Sequence, residues 1–290
     1  MHAHQTEHGA VATAAAHARS AGAEAGAAGL VSSKTSVHAY PDNWIPISTD
    51  PVKLRERRLA ALRRNVWAAG KLHSQECPHG YRVWFVTLTY DTRGTLGNGA
   101  HDWNPRHISD AIKRFRHWAK KTGAHPRYVW VAELQQKGTV HYHVALWLPK
   151  HLSMPKWDQP TRTGAVFWPY GMAQREIARD AVVYLMKYMS KIGGRHDYPK
   201  GCRTYGVGGL EHPSRQIRSW LNFPMWLRQL HGVGEVVTRA GRRVLRETGE
   251  LLDSPFRIVR HRGQMFLSAI REVPARWVSG PWSSLRSFHA

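Results

Sequence analysis

The sequence predicts an α+β domain, with strands, helices and an antiparallel hairpin. Three observations lead there. Runs rich in β-branched and aromatic residues at 81 to 91 (YRVWFVTLTYD), 127 to 135 (RYVWVAELQ) and 140 to 149 (VHYHVALWLP) read as strands. The last two are joined by a short Gly-bearing turn, which is a hairpin signal. Two stretches at helical spacing, 104 to 123 and 173 to 192, lie between and after them.

Residues 1 to 36 are rich in Ala, Gly, His and Ser without apolar periodicity and read as a disordered tail. Glu7 and Glu24 interrupt any compact apolar run, so the tail does not read as a secretory signal. No stretch is apolar for long enough to span a bilayer, and a cytoplasmic address without membrane partners is expected. The rest divides into a basic helical N-terminal extension (37 to 80), a central domain (81 to 235) and C-terminal accessory strands and turns (236 to 290).

The first helix is expected from Pro51, with Leu59, Leu62 and Val66 as its apolar stripe and Arg55, Arg58, Arg63 and Arg64 around it. ECPHG marks a turn, and the first strand follows. A Gly-rich loop leads to a helix with Asn104 as N-cap, Pro105 in its first turn and Gly123 as its stop. Its buried stripe is Ile108, Ala111, Ile112, Phe115 and Ala119, which turns Lys113, Arg114, Arg116, Lys120 and Lys121 outward.

The hairpin carries the first chemical signal. In a strand, alternate side chains share a face, so His141 and His143 project together, followed by Ala145 and Trp147. Val140, Tyr142, Val144, Leu146 and Leu148 make the opposite, core-like face. A three-residue loop of Gln136, Lys137 and Gly138 puts glycine where a left-handed residue is favoured. Gln135 then pairs with Thr139, and Glu133 lies opposite His141 on the histidine face. A two-residue loop would set Glu133 against Tyr142, on the wrong face. Two imidazoles and a carboxylate with room for further ligands are the pattern of a catalytic metal site.

The second signal is the stretch 173 to 192, read as one helix ended by Gly193. Ala178, Ala181, Val182, Leu185, Met189 and Ile192 form its buried face. Tyr184, Lys187, Tyr188 and Lys191 form a separate stripe. A tyrosine near its ordinary pKa of about 10 needs help to act as a nucleophile at neutral pH. A nearby metal or ammonium gives that help, and Lys187 and Lys191 stand ready to supply the ammonium. Beyond it, RSWLNFPMWLRQL reads as helix broken at Pro224, and 234 to 260 as turns and short strands.

The net charge is +22, and the tail's own charges cancel, so the excess lies in the folded part. That balance points to a polyanion, most simply nucleic acid. RFRHWAKK (114 to 121) makes Arg114, Arg116, Lys120 and Lys121 candidates for DNA phosphates. Two distant cysteines, Cys77 and Cys202, make neither a disulfide framework nor a four-ligand zinc site, and both are expected to be buried and inert. No phosphate-binding glycine loop ends in Gly-Lys-Ser/Thr, so an ATPase motor is not indicated.

FVTLTY (85 to 90), HYH (141 to 143) and YLMKYMSK (184 to 191), in that order, resemble the three motifs of the HUH endonuclease superfamily, closest to its two-tyrosine rolling-circle replication initiators from filamentous or microvirus-like phages and related plasmids. The resemblance covers roughly 80 to 235. It implies a sheet of about five antiparallel strands with helices packed against it, and a Mg or Mn ion held by His141, His143 and a third polar residue, Glu133 or, second, Gln135. It implies that one tyrosine nicks supercoiled origin DNA as a 5′-phosphotyrosine adduct and the second allows the displaced single strand to be rejoined. Host helicase and polymerase are the implied partners. The competing readings are a transposase or relaxase with the same unit, a non-catalytic nucleic-acid-binding protein, and a small-molecule oxygenase that would leave the tyrosines and the charge unexplained.

Overall fold

The computed structural model describes residue 41 and residues 44–96, 99–135, 137–191 and 198–270, the side chains of 190 and 191 excepted. The tail expected at 1 to 36, and Ile192 and Gly193, lie outside the described residues.

In chain order the elements are β1 (Trp44–Pro46), α1 (Pro51–Glu76), β2 (Tyr81–Leu88), α2 (His107–Lys121), β3 (Arg127–Leu134), β4 (Val140–Pro149), β5 (Ala173–Ala178), α3 (Ala181–Lys191), β6 (Tyr205–Gly208), α4 (His212–Leu221), α5 (Met225–Leu230), β7 (Val236–Arg239), β8 (Arg242–Leu245), β9 (Phe256–His261) and β10 (Gln264–Ala269). The fold is α+β. Its centre is a five-stranded antiparallel sheet in the order β5-β2-β4-β3-β6.

Both faces of that sheet are covered. On one, Tyr142, Val144, Leu146 and Leu148 of β4 pack against Ile108, Ala111, Ile112, Phe115 and Ala119 of α2, the stripe read from the sequence. Burying each large side chain there stabilises the fold by roughly 1.5–3 kcal/mol. On the other, Phe85, Val129, Val131, Ala145 and Trp147 pack against Leu62, Val66 and Ala69 of α1 and Ala181, Leu185 and Met189 of α3. The segment expected as an N-terminal extension thus supplies a helix to the central core. α1 and α3 approach closely at Gly70, where an added Cβ would stand 2.9 Å from Cγ2 of Val182.

Two boundaries differ from the sequence reading. Asn104 does not cap α2. Its Oδ1 accepts from the N–H of Arg106 at 2.9 Å and its carbonyl from His107, so it closes a turn and the helix begins at His107. Residues 173 to 178 are not helical. They form β5, an edge strand on β2, and the helix starts only after Asp180, whose Oδ1 accepts from the N–H groups of Val182 (2.7 Å) and Val183 (3.2 Å). Pairing with β2 outweighed the local spacing.

The break at Pro224 separates α4 from α5 as read. The C-terminal strands gather around a smaller core of Phe223, Trp226, Leu227, Val236, Phe256 and Leu267. There β1 pairs with β10 and β10 with β9, while β7 and β8 form a hairpin. No described helix is long and apolar enough to cross a membrane.

Candidate active site and nucleic-acid interface

The hairpin between β3 and β4 has the loop inferred from glycine. Gly138 has φ +80°, the N–H of Gln135 donates to the carbonyl of Thr139 at 3.0 Å, and Glu133 is paired with His141. Cross-strand partners share a face, so Glu133, His141 and His143 rise on one side of the sheet. The row through His143 runs Gln174, Thr87, His143, Val131, Tyr205 across all five strands.

His143 is buried and held at both ring nitrogens. Nδ1 lies 3.2 Å from Oγ1 of Thr87, and Nε2 lies 2.7 Å from Oε2 of Glu133, itself nearly buried. His141 is half-buried, with Nδ1 3.0 Å from Nε2 of Gln135. Both candidates for a third ligand therefore lie beside the histidine pair, each against a different ring.

The tyrosines come from α3. The Tyr188 ring lies flat on that of His143, with centroids 3.4 Å apart and planes at 16°. Phe85 backs both rings, 5.6 Å from Tyr188 and 5.8 Å from His143. Tyr184, one turn earlier, meets Phe85 at 5.1 Å. Nζ of the exposed Lys187 is 5.8 Å from the centroid of Tyr188. Lys191 ends the helix, and its side chain is outside the described residues.

The donor chemistry fits a divalent cation. If Nδ1 of His143 donates its proton to Thr87, Nε2 turns a lone pair towards a carboxylate oxygen 2.7 Å away. In the other tautomer Nε2–H donates to that oxygen; with its lone pair turned there instead, the two donor atoms need a shared cation, a proton or a metal ion bound by both. A metal-binding imidazole ordinarily donates its other ring N–H to an oxygen acceptor, the part that Oγ1 of Thr87 takes in this tautomer. Among the described residues, no three His, Cys, Asp or Glu side chains are already drawn together to hold a metal ion.

The structure separates the basic candidates from this cluster. Arg114, Arg116, Lys120 and Lys121 belong to α2, which covers the opposite face of the sheet. Arg114 donates to the carbonyl of Phe167 at 3.2 Å, and the other three are exposed. The cysteines are half-buried rather than buried, and burial raises both thiols, Cys202 to about 11, so neither is a ready nucleophile.

Sequence reasoning missed the parts played by Thr87, Phe85 and Tyr205. Thr87 and Phe85 lie two apart on one face of β2, so period-two reading from the FVTLTY motif could have found them. Tyr205 had no local signal, because its place depends on β6 joining the sheet edge.

The sequence model of the family described as Replication-associated protein ORF2 matches residues 83–193, the span from β2 through α3 that holds the histidine pair and both tyrosines. No curated protein and no solved structure matches the chain.

Proposed function

We propose that the protein is a rolling-circle replication initiator of the two-tyrosine HUH kind, which nicks origin DNA with Tyr188 and uses Tyr184 for the second strand transfer. The observation that carries this reading is the Tyr188 ring stacked 3.4 Å over His143, whose Nε2 meets Glu133 at 2.7 Å. A nucleophile, two imidazoles and a carboxylate thus share one buried-walled face. The family match over the same span and the net charge of +22 support it.

In this reading the Tyr188 phenol loses its proton and its oxygen attacks the scissile phosphorus. The bond from phosphorus to the 3′ oxygen breaks, that oxygen gains a proton, and the 5′ phosphate remains on the tyrosine. The free 3′ hydroxyl serves as primer for a host polymerase, with a host helicase separating the strands. Tyr184 then cuts the regenerated origin in the same way, and the 3′ hydroxyl so released attacks the Tyr188 phosphodiester to close the circle. Each step exchanges one phosphodiester for another, so no ATP is needed. A Mg or Mn ion held by His141, His143 and Glu133, with Gln135 as the other candidate donor, would polarise the scissile phosphate and offset charge in the transition state. Lys187, and Lys191 one turn on, would favour the phenolates.

The test is incubation with end-labelled single-stranded oligonucleotides tiled across DNA beside the gene, with Mn, followed by denaturing electrophoresis. A slow band that chelator abolishes, and that disappears when Tyr184 and Tyr188 are both replaced by Phe, supports the proposal. Tight binding without a band on any of the tiled strands favours a non-catalytic DNA-binding protein.

A further inference from the structure

Two depressions on the α2 side of the molecule join into one basic track. The larger, about 960 Å³, lies between the outward face of α2 and the turn at Thr161, Arg162 and Thr163, with Trp118 and Phe167 among its lining. The smaller, about 470 Å³, lies between α2 and the sheet edge at β6, and α4 adds Arg215 and Arg218. Arg116 and Lys120 line both, so the two meet there. Among the described lining residues, eight Lys and Arg side chains stand against one acid, Asp110. On α2, Lys113, Arg116 and Lys120 step by three and four residues and so follow one line, about 5–6 Å apart.

The track turns the edge of the sheet. The Arg218 guanidinium lies over the ring of Tyr205 at 6.0 Å. Tyr205 stands in the same cross-strand row and on the same face as His143, with only Val131 of β3 between them. Two strand spacings separate them, about 10 Å. The line of cations therefore runs from the face opposite the tyrosines, around β6, to the row of the reacting groups.

From this we infer that a single DNA strand entering or leaving the site passes Tyr205 and Arg218, crosses the β6 edge and lies in the α2 track with its phosphates on Arg116 and Lys120. The strand is single because the path bends round one sheet edge. Duplex DNA, with a persistence length of about 50 nm, resists so tight a turn. Trp118 and Tyr128 line the depressions half-buried, so the grip on the strand is carried by the cations rather than by exposed rings. The inference rests on the nickase reading for the identity of the strand, and the track itself is tested without cleavage.

The experiment measures fluorescence anisotropy of full-length protein with a labelled 30-nucleotide oligothymidylate and with a 30-base-pair duplex, over a range of salt. The variant is Arg116→Glu with Lys120→Glu. The control is Arg239→Glu with Arg242→Glu, the same charge change on exposed residues of the β7–β8 hairpin, outside the track. The track variant should bind the single strand at least tenfold more weakly. Its log–log salt slope should be shallower by about 1.4, two contacts at about 0.7 each. The control should change less than threefold. An equal loss in the control, an unchanged single-strand affinity, or a loss confined to the duplex would overturn the track. If the variant misfolds by circular dichroism, Lys113→Glu with Lys121→Glu is read in the same way. Absence of a tyrosine adduct with track-dependent binding intact would remove the nickase and leave the track standing.

Discussion

Replacing Glu133 by Gln separates what the carboxylate does for the fold from what it does for a cation. The side chains of His143 and Glu133 are 3% and 10% exposed, so their 2.7 Å contact is little weakened by solvent. A charge-assisted hydrogen bond is about twice as strong as a neutral one, and net hydrogen bonds contribute about 1 kcal/mol. The carboxamide keeps an acceptor for the imidazole N–H, so the variant should lose about 1 kcal/mol. For a folded unit of this size that lowers Tm by about 2–4 °C. Metal linkage gives the larger signal. At free Mn a hundred times its Kd, a cation bound only by the folded state stabilises it by about 2.7 kcal/mol. That raises the wild-type Tm by about 5–11 °C. The variant should gain little, because one anionic donor is gone. The assay is thermal unfolding with and without Mn, at fixed ionic strength. Equal Mn-dependent stabilisation of wild type and Glu133→Gln would refute Glu133 as a ligand and move the role to Gln135.

Three further outcomes are expected. Tyr142→Phe leaves Nε1–H of Trp103 without the hydroxyl it now reaches at 2.8 Å, and should cost about 1–2 kcal/mol by urea unfolding. His73 is buried against Trp147, and burial first, then the Arg127 charge, push its pKa down to about 3. Its unfolded value is higher, so the unfolded chain binds the extra proton as pH falls from about 6.5 towards 3, and stability drops by up to about 1.4 kcal/mol per pH unit. His73→Phe should flatten that acid limb in denaturant titrations and leave stability above pH 7 without pH dependence from this position. Lys187→Met should slow adduct formation about tenfold in single-turnover assays, less than the loss of a buried oxyanion donor, because Lys187 is exposed.

Much of the site was legible because it follows from short-range rules. The placement of Glu133 opposite His141 needed only a glycine with positive φ and the period of a strand. The stripe from Ile108 to Ala119 needed only helical spacing. The failures lie where pairing across the sheet decides. Residues 173 to 178 have apolar spacing compatible with a helix, yet the open edge of β2 takes them as a strand, and Asp180 sets the true start of α3. The capping signal at Asp180 was present in the sequence but was overrun by the longer periodicity. The separation of the α2 cations from the histidine face was also hidden. It depends on which side of the sheet each helix covers, and no local pattern encodes that.

The most direct test of Tyr188 as the attacking group is mass spectrometry of the trypsin-digested adduct. Cleavage after Arg179, Lys187 and Lys191 puts Tyr184 in the peptide 180–187 and Tyr188 in the peptide 188–191, so the two tyrosines separate. On a single-nick oligonucleotide, the account predicts the added 5′-nucleotide mass on the 188–191 peptide. The mass on a peptide outside α3, or only on 180–187, would contradict it.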